Sequence, residues 1–278
     1  MSSVAQALRQ AAEQLAATSD TARLDAELLM AHALGVTRSE MLLRHLQDAA
    51  PETFAALIER RGRHEPVAYI IGSQEFFGRS FAVAPGVLIP RADSEATVLA
   101  ALEVCPTPSR VLDCGIGSGA LLLTVLAERE GAEGIGIDRS PGALAVASSN
   151  AAALGLAIRA ALLERDWHQP DWQAGLGQFD LILANPPYVE ADAPLDPDVR
   201  EWEPAGALFA GPDGLSDYRV LIPQLPALVS QNGVAVLEIG ASQAVAVSEI
   251  AVKAGLTAAL RRDLAGRPRA LILRILGD

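Results

Sequence analysis

The alternation of strand-like and helix-like segments after residue 110 is the feature that most restricts the fold. Short, almost continuously apolar runs at residues 111–114, 134–137 and 179–184 are typical of strands buried on both faces of a parallel sheet. Segments of helical character separate these runs, as expected where crossover helices join parallel strands. Further strands are predicted at residues 156–163, 233–239, 256–262 and 269–275. The sequence therefore predicts an α/β fold with a seven-stranded, doubly wound, Rossmann-like sheet.

Composition and charge narrow the class of protein. Half of the 278 residues are hydrophobic, which is enough for one large core or two smaller ones. The net charge of −12 argues against direct binding of nucleic acid, because such binding requires Lys and Arg to neutralise phosphates. Cys105 and Cys114 are the only cysteines, and they indicate a reducing compartment and no metal site. No apolar stretch has membrane-spanning length, so we expect a cytoplasmic protein without a membrane partner.

The chain before residue 110 divides into segments of different pattern. Residues 3–64 carry apolar side chains at helical spacing in four segments and contain no catalytic constellation. Apolar runs at residues 67–71 and 80–83, with glycines as turn residues between them, predict a β-hairpin. We therefore expect a helical domain at residues 1–65 that serves substrate recognition, a hairpin connector at residues 66–91 and the α/β domain at residues 92–278.

A glycine-rich turn follows the first buried strand of the α/β segment. It is formed by Gly115, Ile116, Gly117, Ser118 and Gly119, and a helix is predicted directly after it. Glycines at this place let a ligand approach backbone N–H groups at a helix N-terminus. The turn fits the permissive dinucleotide fingerprint, and Asp138 follows about 20 residues later, where a ribose-binding acid is expected. The turn alone is compatible with a dinucleotide or with S-adenosylmethionine.

A rigid polar turn follows the buried run at residues 179–184. It consists of Asn185, Pro186, Pro187 and Tyr188. Proline fixes its own φ and has no N–H for the ladder, so the chain leaves the sheet there and stiffens. Ligands of open α/β sheets bind at the carboxyl ends of the strands. Hydride transfer has no use for this turn, which favours S-adenosylmethionine, as do Asp113 before the glycine turn and Asp166 beside Trp167.

The two turns together resemble those of methyltransferases that modify planar nitrogens, such as those of adenine or glutamine. More closely, the chain resembles the bacterial release factor glutamine methyltransferases from residue 66 to its end. The matching segments are PVAYIIG (66–72), EFFG (75–78), VLIPRADSE (87–95), the glycine turn, NPPY (185–188), EP (203–204), DGL (213–215), EIGASQ (238–243) and DLAGRPR (263–269). Two departures stand out: residues 92–94 replace the usual Pro-Glu-Thr, and Ile116 replaces the usual Thr.

This resemblance implies a reaction and a set of site residues. The reaction is methyl transfer from S-adenosylmethionine to the side-chain amide nitrogen of the glutamine in the Gly-Gly-Gln motif of peptide-chain release factors. Donor contacts are implied for the turn at residues 115–119 and for Asp138, Trp167 and Asn185. Substrate contacts are implied for residues 185–188, with Phe77 lining the glutamine channel.

The chemistry explains why Asn-Pro-Pro-Tyr suits such a substrate. An amide nitrogen is a poor nucleophile because its lone pair is delocalised into the carbonyl, so it must be oriented more than deprotonated. We predict that the Asn185 side-chain oxygen and the Pro186 carbonyl accept hydrogen bonds from the substrate –NH2 and aim its lone pair at the methyl group. Tyr188 would pack against the flat amide, and no general base is needed.

Three other functions fit parts of the pattern. A nucleic-acid adenine-N6 methyltransferase would use the same turn on a flipped base, although the acidity of the chain disfavours it. A ribosomal-protein glutamine methyltransferase would share the chemistry, and only segments 75–78 and 89–95 favour release factors. A donor-binding module without catalysis would have no need of an intact turn at residues 185–188.

Overall fold

The structure is a computed structural model that describes residues 2–276. It divides into two compact units. The helical unit contains the chain up to Ser73 together with residues 195–202, and the sheet unit contains residues 74–194 and the chain from Glu203 onward. Within the described part of the chain, no helix is both long and apolar enough to cross a bilayer.

Helices and strands occur in the order that the alternation predicts. The helices are α1 (Val4–Leu15), α2 (Ala22–Leu34), α3 (Arg38–Arg44), α4 (Phe54–Gly62), α5 (Val67–Ile71), α6 (Glu95–Val104), α7 (Ala120–Glu128), α8 (Pro141–Ala153), α9 (Pro197–Trp202), α10 (Ala205–Leu208), α11 (Ser216–Leu221), α12 (Leu225–Leu228) and α13 (Ala244–Lys253). The strands are β1 (Ser73–Phe76), β2 (Arg79–Ala82), β3 (Arg110–Cys114), β4 (Glu133–Asp138), β5 (Ala160–Glu164), β6 (Phe179–Ala184), β7 (Val229–Glu238), β8 (Leu256–Arg262) and β9 (Pro268–Ile275).

The helical unit has its own apolar core and well-defined helix ends. Leu8, Leu29 and Met41 are among its fully buried side chains. The backbone N–H of Glu40 donates to the Thr37 hydroxyl at 3.1 Å, which caps α3. Gly35 ends α2 in the left-handed conformation, with φ of +68°.

The strand predicted at residues 67–71 is wrong, because this segment forms helix α5. Pro66 begins the helix, and Gly72 ends it in the left-handed conformation. The helical conformation places Ile70 in the core of the helical unit. The hairpin lies further along the chain, where β1 pairs with β2. Its two turn residues, Phe77 and Gly78, both have positive φ, as a tight hairpin turn requires.

The main sheet has seven strands in the order β5-β4-β3-β6-β7-β9-β8, which confirms the predicted fold. β5, β4, β3, β6 and β7 are parallel, and β9 runs antiparallel to both β7 and β8. Helices cover both faces, because adjacent residues of a strand, such as Leu181 and Ile182, belong to different core clusters. The strand order reverses between β3 and β6, so their carboxyl ends border the crevice where such folds bind ligands.

Candidate active site

A cavity of about 210 Å³ lies at the carboxyl ends of the parallel strands in the sheet unit. Residues that follow four consecutive strands contribute to its lining. They are Gly115, Ile116, Gly117 and Ser118 after β3, Arg139 and Ser140 after β4, Arg165, Asp166 and Trp167 after β5, and Asn185 and Pro187 after β6. Asp113 and Asp138 line it from the strands themselves. The fold therefore brings most of the predicted site residues together, although Gly119, Pro186, Tyr188 and Phe77 do not line this cavity.

The glycine turn has the left-handed backbone that only glycine adopts readily. The φ angles of Gly115, Gly117 and Gly119 are +81°, +55° and +89°. The backbone N–H of Gly117 donates to Asp138 Oδ2 at 3.0 Å, which fixes the turn against the end of β4. A Cβ atom on Gly115 would lie 3.2 Å from the Trp167 ring, so the turn also packs closely against the segment after β5.

Asp113 is a buried carboxylate with one unused oxygen. Its Oδ2 accepts a hydrogen bond of 3.2 Å from the Leu122 backbone N–H, whereas Oδ1 has no partner among residues 2–276. Burial raises the pKa of Asp113 from 3.8 to about 7, and the charge of Asp138 adds to the rise. An unpartnered carboxylate oxygen beside a cavity is suited to a cationic ligand group.

Asp138 at the end of β4 and Asp166 after β5 are held by local hydrogen bonds. Asp138 accepts from the backbone of Ser140 at 2.9 Å as well as from Gly117. Burial alone would raise the pKa of Asp166, but hydrogen bonds from the His168 backbone and ring bring it below its ordinary value. Trp167 donates from Nε1 to Asp217 Oδ1 at 3.2 Å, which fixes the orientation of its ring.

The Asn185–Tyr188 turn begins where β6 ends, as predicted from the two prolines. Asn185 lines the cavity, and its side chain has no hydrogen-bond partner among the described residues. Tyr188 turns away: its hydroxyl donates to Glu238 Oε1 at 3.4 Å, and its ring packs against the core. Burial raises the pKa of this hydroxyl to about 12, so it remains protonated. The turn therefore places a residue with an uncommitted amide at the cavity.

The wall formed by residues 86–91 and 204–207 was not assigned a role from the sequence. Arg91 pairs with Glu203, and Glu203 also accepts from the Ile89 backbone N–H at 3.2 Å. This joins two chain segments that are more than one hundred residues apart. From the hairpin, Phe76 lines the cavity, whereas Phe77 occupies the turn. The only sequence signal for this wall was the presence of both segments in the family-like motifs.

The chain is 43% identical to the release factor glutamine methyltransferase of Cereibacter sphaeroides over 279 residues, which is 98% of each chain. The chain belongs to the release factor glutamine methyltransferase family. A second member of this family, from Rhodospirillum rubrum, is 43% identical and covers 91% of this chain and 78% of its own. These relatives confirm the resemblance inferred from the sequence motifs.

Family models agree with membership of the release factor glutamine methyltransferase family, and a solved structure agrees with the fold. Residues 6–72 match the PrmC N-terminal domain, and residues 108–206 match a methyltransferase domain. The ribosomal protein L11 methylase of Lactobacillus delbrueckii subsp. bulgaricus shares the fold, with 22% identity, a TM-score of 0.51 and coverage of 73% of this chain and 90% of its own. The matched methyltransferase domain contains both the glycine turn and Asn185, so the turn belongs to a methyltransferase.

Proposed function

We propose that this protein transfers a methyl group from S-adenosylmethionine to the side-chain amide nitrogen of the glutamine in the Gly-Gly-Gln motif of peptide-chain release factors. One observation carries the proposal: in a chain of this family, Asn185, whose amide is uncommitted, lines the same cavity as the glycine turn. The helical unit would contribute to recognition of the release factor.

The residues of the cavity fit S-adenosylmethionine. The unpartnered Oδ1 of Asp113 suits the ammonium group of the methionine part. Asp138 accepts two backbone hydrogen bonds and, as a carboxylate with about four acceptor positions, can still accept from a ribose diol. The fixed Trp167 ring would contact the adenine. When bound, S-adenosylmethionine supplies an electrophilic methyl group on its sulfonium sulfur.

The protein's contribution to the reaction is mainly orientation. The Asn185 side-chain oxygen and the Pro186 carbonyl would accept hydrogen bonds from the two N–H groups of the substrate amide. These bonds direct the nitrogen lone pair toward the methyl group and favour pyramidalisation as positive charge develops. Proline suits both positions after Asn185, because a fixed φ limits where that carbonyl can point. The proton leaves readily once the nitrogen is methylated, so water can accept it.

Asn185→Ala tests this proposal. Because the variant loses one aimed contact of the transition state, we expect turnover to fall by roughly 10²–10³-fold. Transfer of tritiated methyl groups to purified release factor measures turnover, and mass spectrometry locates the methyl group on the peptide. Wild-type turnover by Asn185→Ala would refute the assigned role.

Asp180→Ala is a matched control in the same strand. Asp180 lies near the amino end of β6, where its carboxylate accepts from the backbone N–H groups of Ser109 and Arg110 at 2.9 and 3.0 Å. We expect it to lower stability and leave turnover close to wild type. Parallel assays with DNA and with ribosomal proteins identify the acceptor: labelling of either one in place of release factor would overturn the proposed substrate.

A further inference from the structure

Tyr188, the last residue of the polar turn, is held at both of its ends by residues that follow or end β7. Its hydroxyl contacts the Glu238 carboxylate, and its backbone carbonyl accepts from Gln243 Nε2 at 2.9 Å. We call Glu238, Gln243 and Gly214 the Tyr188 clamp. None of the three lines the cavity, so any effect on chemistry must pass through the turn.

Gln243 uses its whole side-chain amide in this contact. Besides Tyr188, its Nε2 donates to the Gly214 carbonyl at 3.1 Å, and its Oε1 accepts from the Gly240 backbone N–H at 3.0 Å. Both partners of the nitrogen are carbonyl oxygens, so the orientation of the amide is fixed by its surroundings. The residue is 9% exposed, which limits competition from solvent.

Gly214 provides the space in which this contact forms. Its φ is +67°, and a Cβ atom there would overlap the Tyr188 carbonyl oxygen and lie 2.7 Å from Gln243 Nε2. Only glycine is compatible with both the conformation and the approach. The DGL segment (213–215) therefore brings its backbone against the end of the polar turn at Tyr188.

Glu238 holds the other end of Tyr188 from within the core. The residue is 1% exposed, and its Oε2 has no hydrogen-bond partner among residues 2–276. Its backbone carbonyl accepts from the Tyr218 hydroxyl at 2.7 Å, which fixes the end of β7. The buried carboxylate thus has a defined place and contacts the turn through one group, the Tyr188 hydroxyl.

The register of the sheet explains why the turn needs such support. Ala184 pairs with Leu237, so Asn185 leaves β6 beside Glu238, the last residue of β7. The prolines restrict φ within the turn, but they do not determine its position relative to β7. On the basis of the proposed function, we propose that Gln243 and Glu238 are positioning residues that hold Tyr188 so that the Asn185 amide meets the substrate amide.

Gln243→Met tests the role of the amide, because it keeps the length of the side chain and removes all three hydrogen bonds. Misplacement of reacting groups by about 1 Å can lower rates by 10²-fold, so we expect kcat to fall by roughly 10–100-fold. We expect the Kd for S-adenosylhomocysteine, measured by calorimetry, to change by less than about 3-fold, since the clamp does not touch the cavity.

The same substitution in the Asn185→Ala background separates positioning from general destabilisation. If Gln243 acts through Asn185, Gln243→Met should reduce the residual turnover of Asn185→Ala by less than about 3-fold. A merely structural residue would lose the same factor in both backgrounds, and that result would overturn the proposal. Asp180→Ala removes hydrogen bonds at the opposite end of β6. It therefore shows what a loss of stability in this strand does to turnover without a change at the polar turn.

A second cycle tests Glu238. Glu238→Met and Tyr188→Phe each remove one side of the same hydrogen bond, so the double variant should lose no more turnover than the more damaging single variant. Multiplicative losses would show that Glu238 does not act through the Tyr188 hydroxyl. Wild-type turnover by Asn185→Ala would contradict the proposed function itself, whereas the two cycles test only the positioning roles. The two outcomes can therefore be distinguished.

Discussion

At the scale of single residues, Asp113 has an unusual electrostatic position. Its pKa is about 7 because burial disfavours the charged form, and one of its oxygens lacks a partner among the described residues. Between pH 4 and 7 the folded protein therefore holds a proton that the unfolded chain, with the ordinary value of 3.8, has released. The resulting stabilisation is complete below pH 4 and is lost as the pH rises through 7.

Asp113→Asn makes this effect measurable, because the amide has a similar shape and does not ionise. We expect the Tm of the variant minus that of the wild type to increase from pH 5 to about pH 7 and to level off above it, in protein free of S-adenosylmethionine. The buried Glu238, whose pKa burial also raises to about 7, is present in both proteins and cancels in the difference. A Tm difference that is independent of pH would contradict the shifted pKa of Asp113.

At the scale of elements, the packing of the glycine turn against β4 depends on a missing side chain. Gly136 lies in β4 directly beside Ile116, and a Cβ atom on Gly136 would overlap the end of the Ile116 side chain. Ile116 is 4% exposed and lines the cavity, so it has little room to move. The strand and the turn are therefore fitted to each other.

Gly136→Ala should lower the free energy of unfolding by about 1–3 kcal/mol, the usual effect of overpacking a core. It should also weaken the binding of S-adenosylhomocysteine, because Ile116 is displaced within the donor turn. Adding Ile116→Val removes the methyl group that collides and should restore part of both losses. Denaturant unfolding and calorimetry measure the two effects; no rescue by the second substitution would contradict this packing argument.

The elements also show what the sequence could and could not predict. β6 and β8 have the bounds predicted for them, because turn-forming residues flank both segments. The strand prediction at residues 67–71 was wrong because a run of five residues is too short for its periodicity to distinguish a helix from a strand. The grouping of the glycine turn with Asn185 was predictable, since carboxyl ends of parallel strands meet. The pairing of Arg91 with Glu203 and of Tyr188 with Glu238 was not, because no local pattern encodes a contact between distant segments.

At the scale of the whole molecule, the helical unit includes a segment that is distant in sequence. Arg61 is 6% exposed and donates to Asp25 at 2.7 Å and to Asp198 at 3.4 Å, so it joins α4 to both α2 and α9. A buried ion pair contributes little relative to an apolar replacement of both partners, but removing one partner leaves a charge without compensation.

Arg61→Met should therefore destabilise the protein strongly, by about 3–5 kcal/mol. Arg63→Met is the matched control from the end of the same helix, because Arg63 pairs with Glu59 in solvent, and its loss should change stability by less than about 0.5 kcal/mol. Denaturant unfolding followed by circular dichroism compares the two. Similar stabilities of the two variants would show that the buried pair does not hold α9.

The inclusion of residues 195–202 in the helical unit has a consequence for synthesis on the ribosome. Although the N-terminus is made first, its unit lacks α9 until residue 202 has been added, and β3, β4, β5 and β6 are translated in the meantime. At about 5–20 residues per second this interval lasts on the order of ten seconds. During this interval Arg61 can pair with Asp25 but not with Asp198. The helical unit is therefore completed only after four of the seven strands of the main sheet have been synthesised.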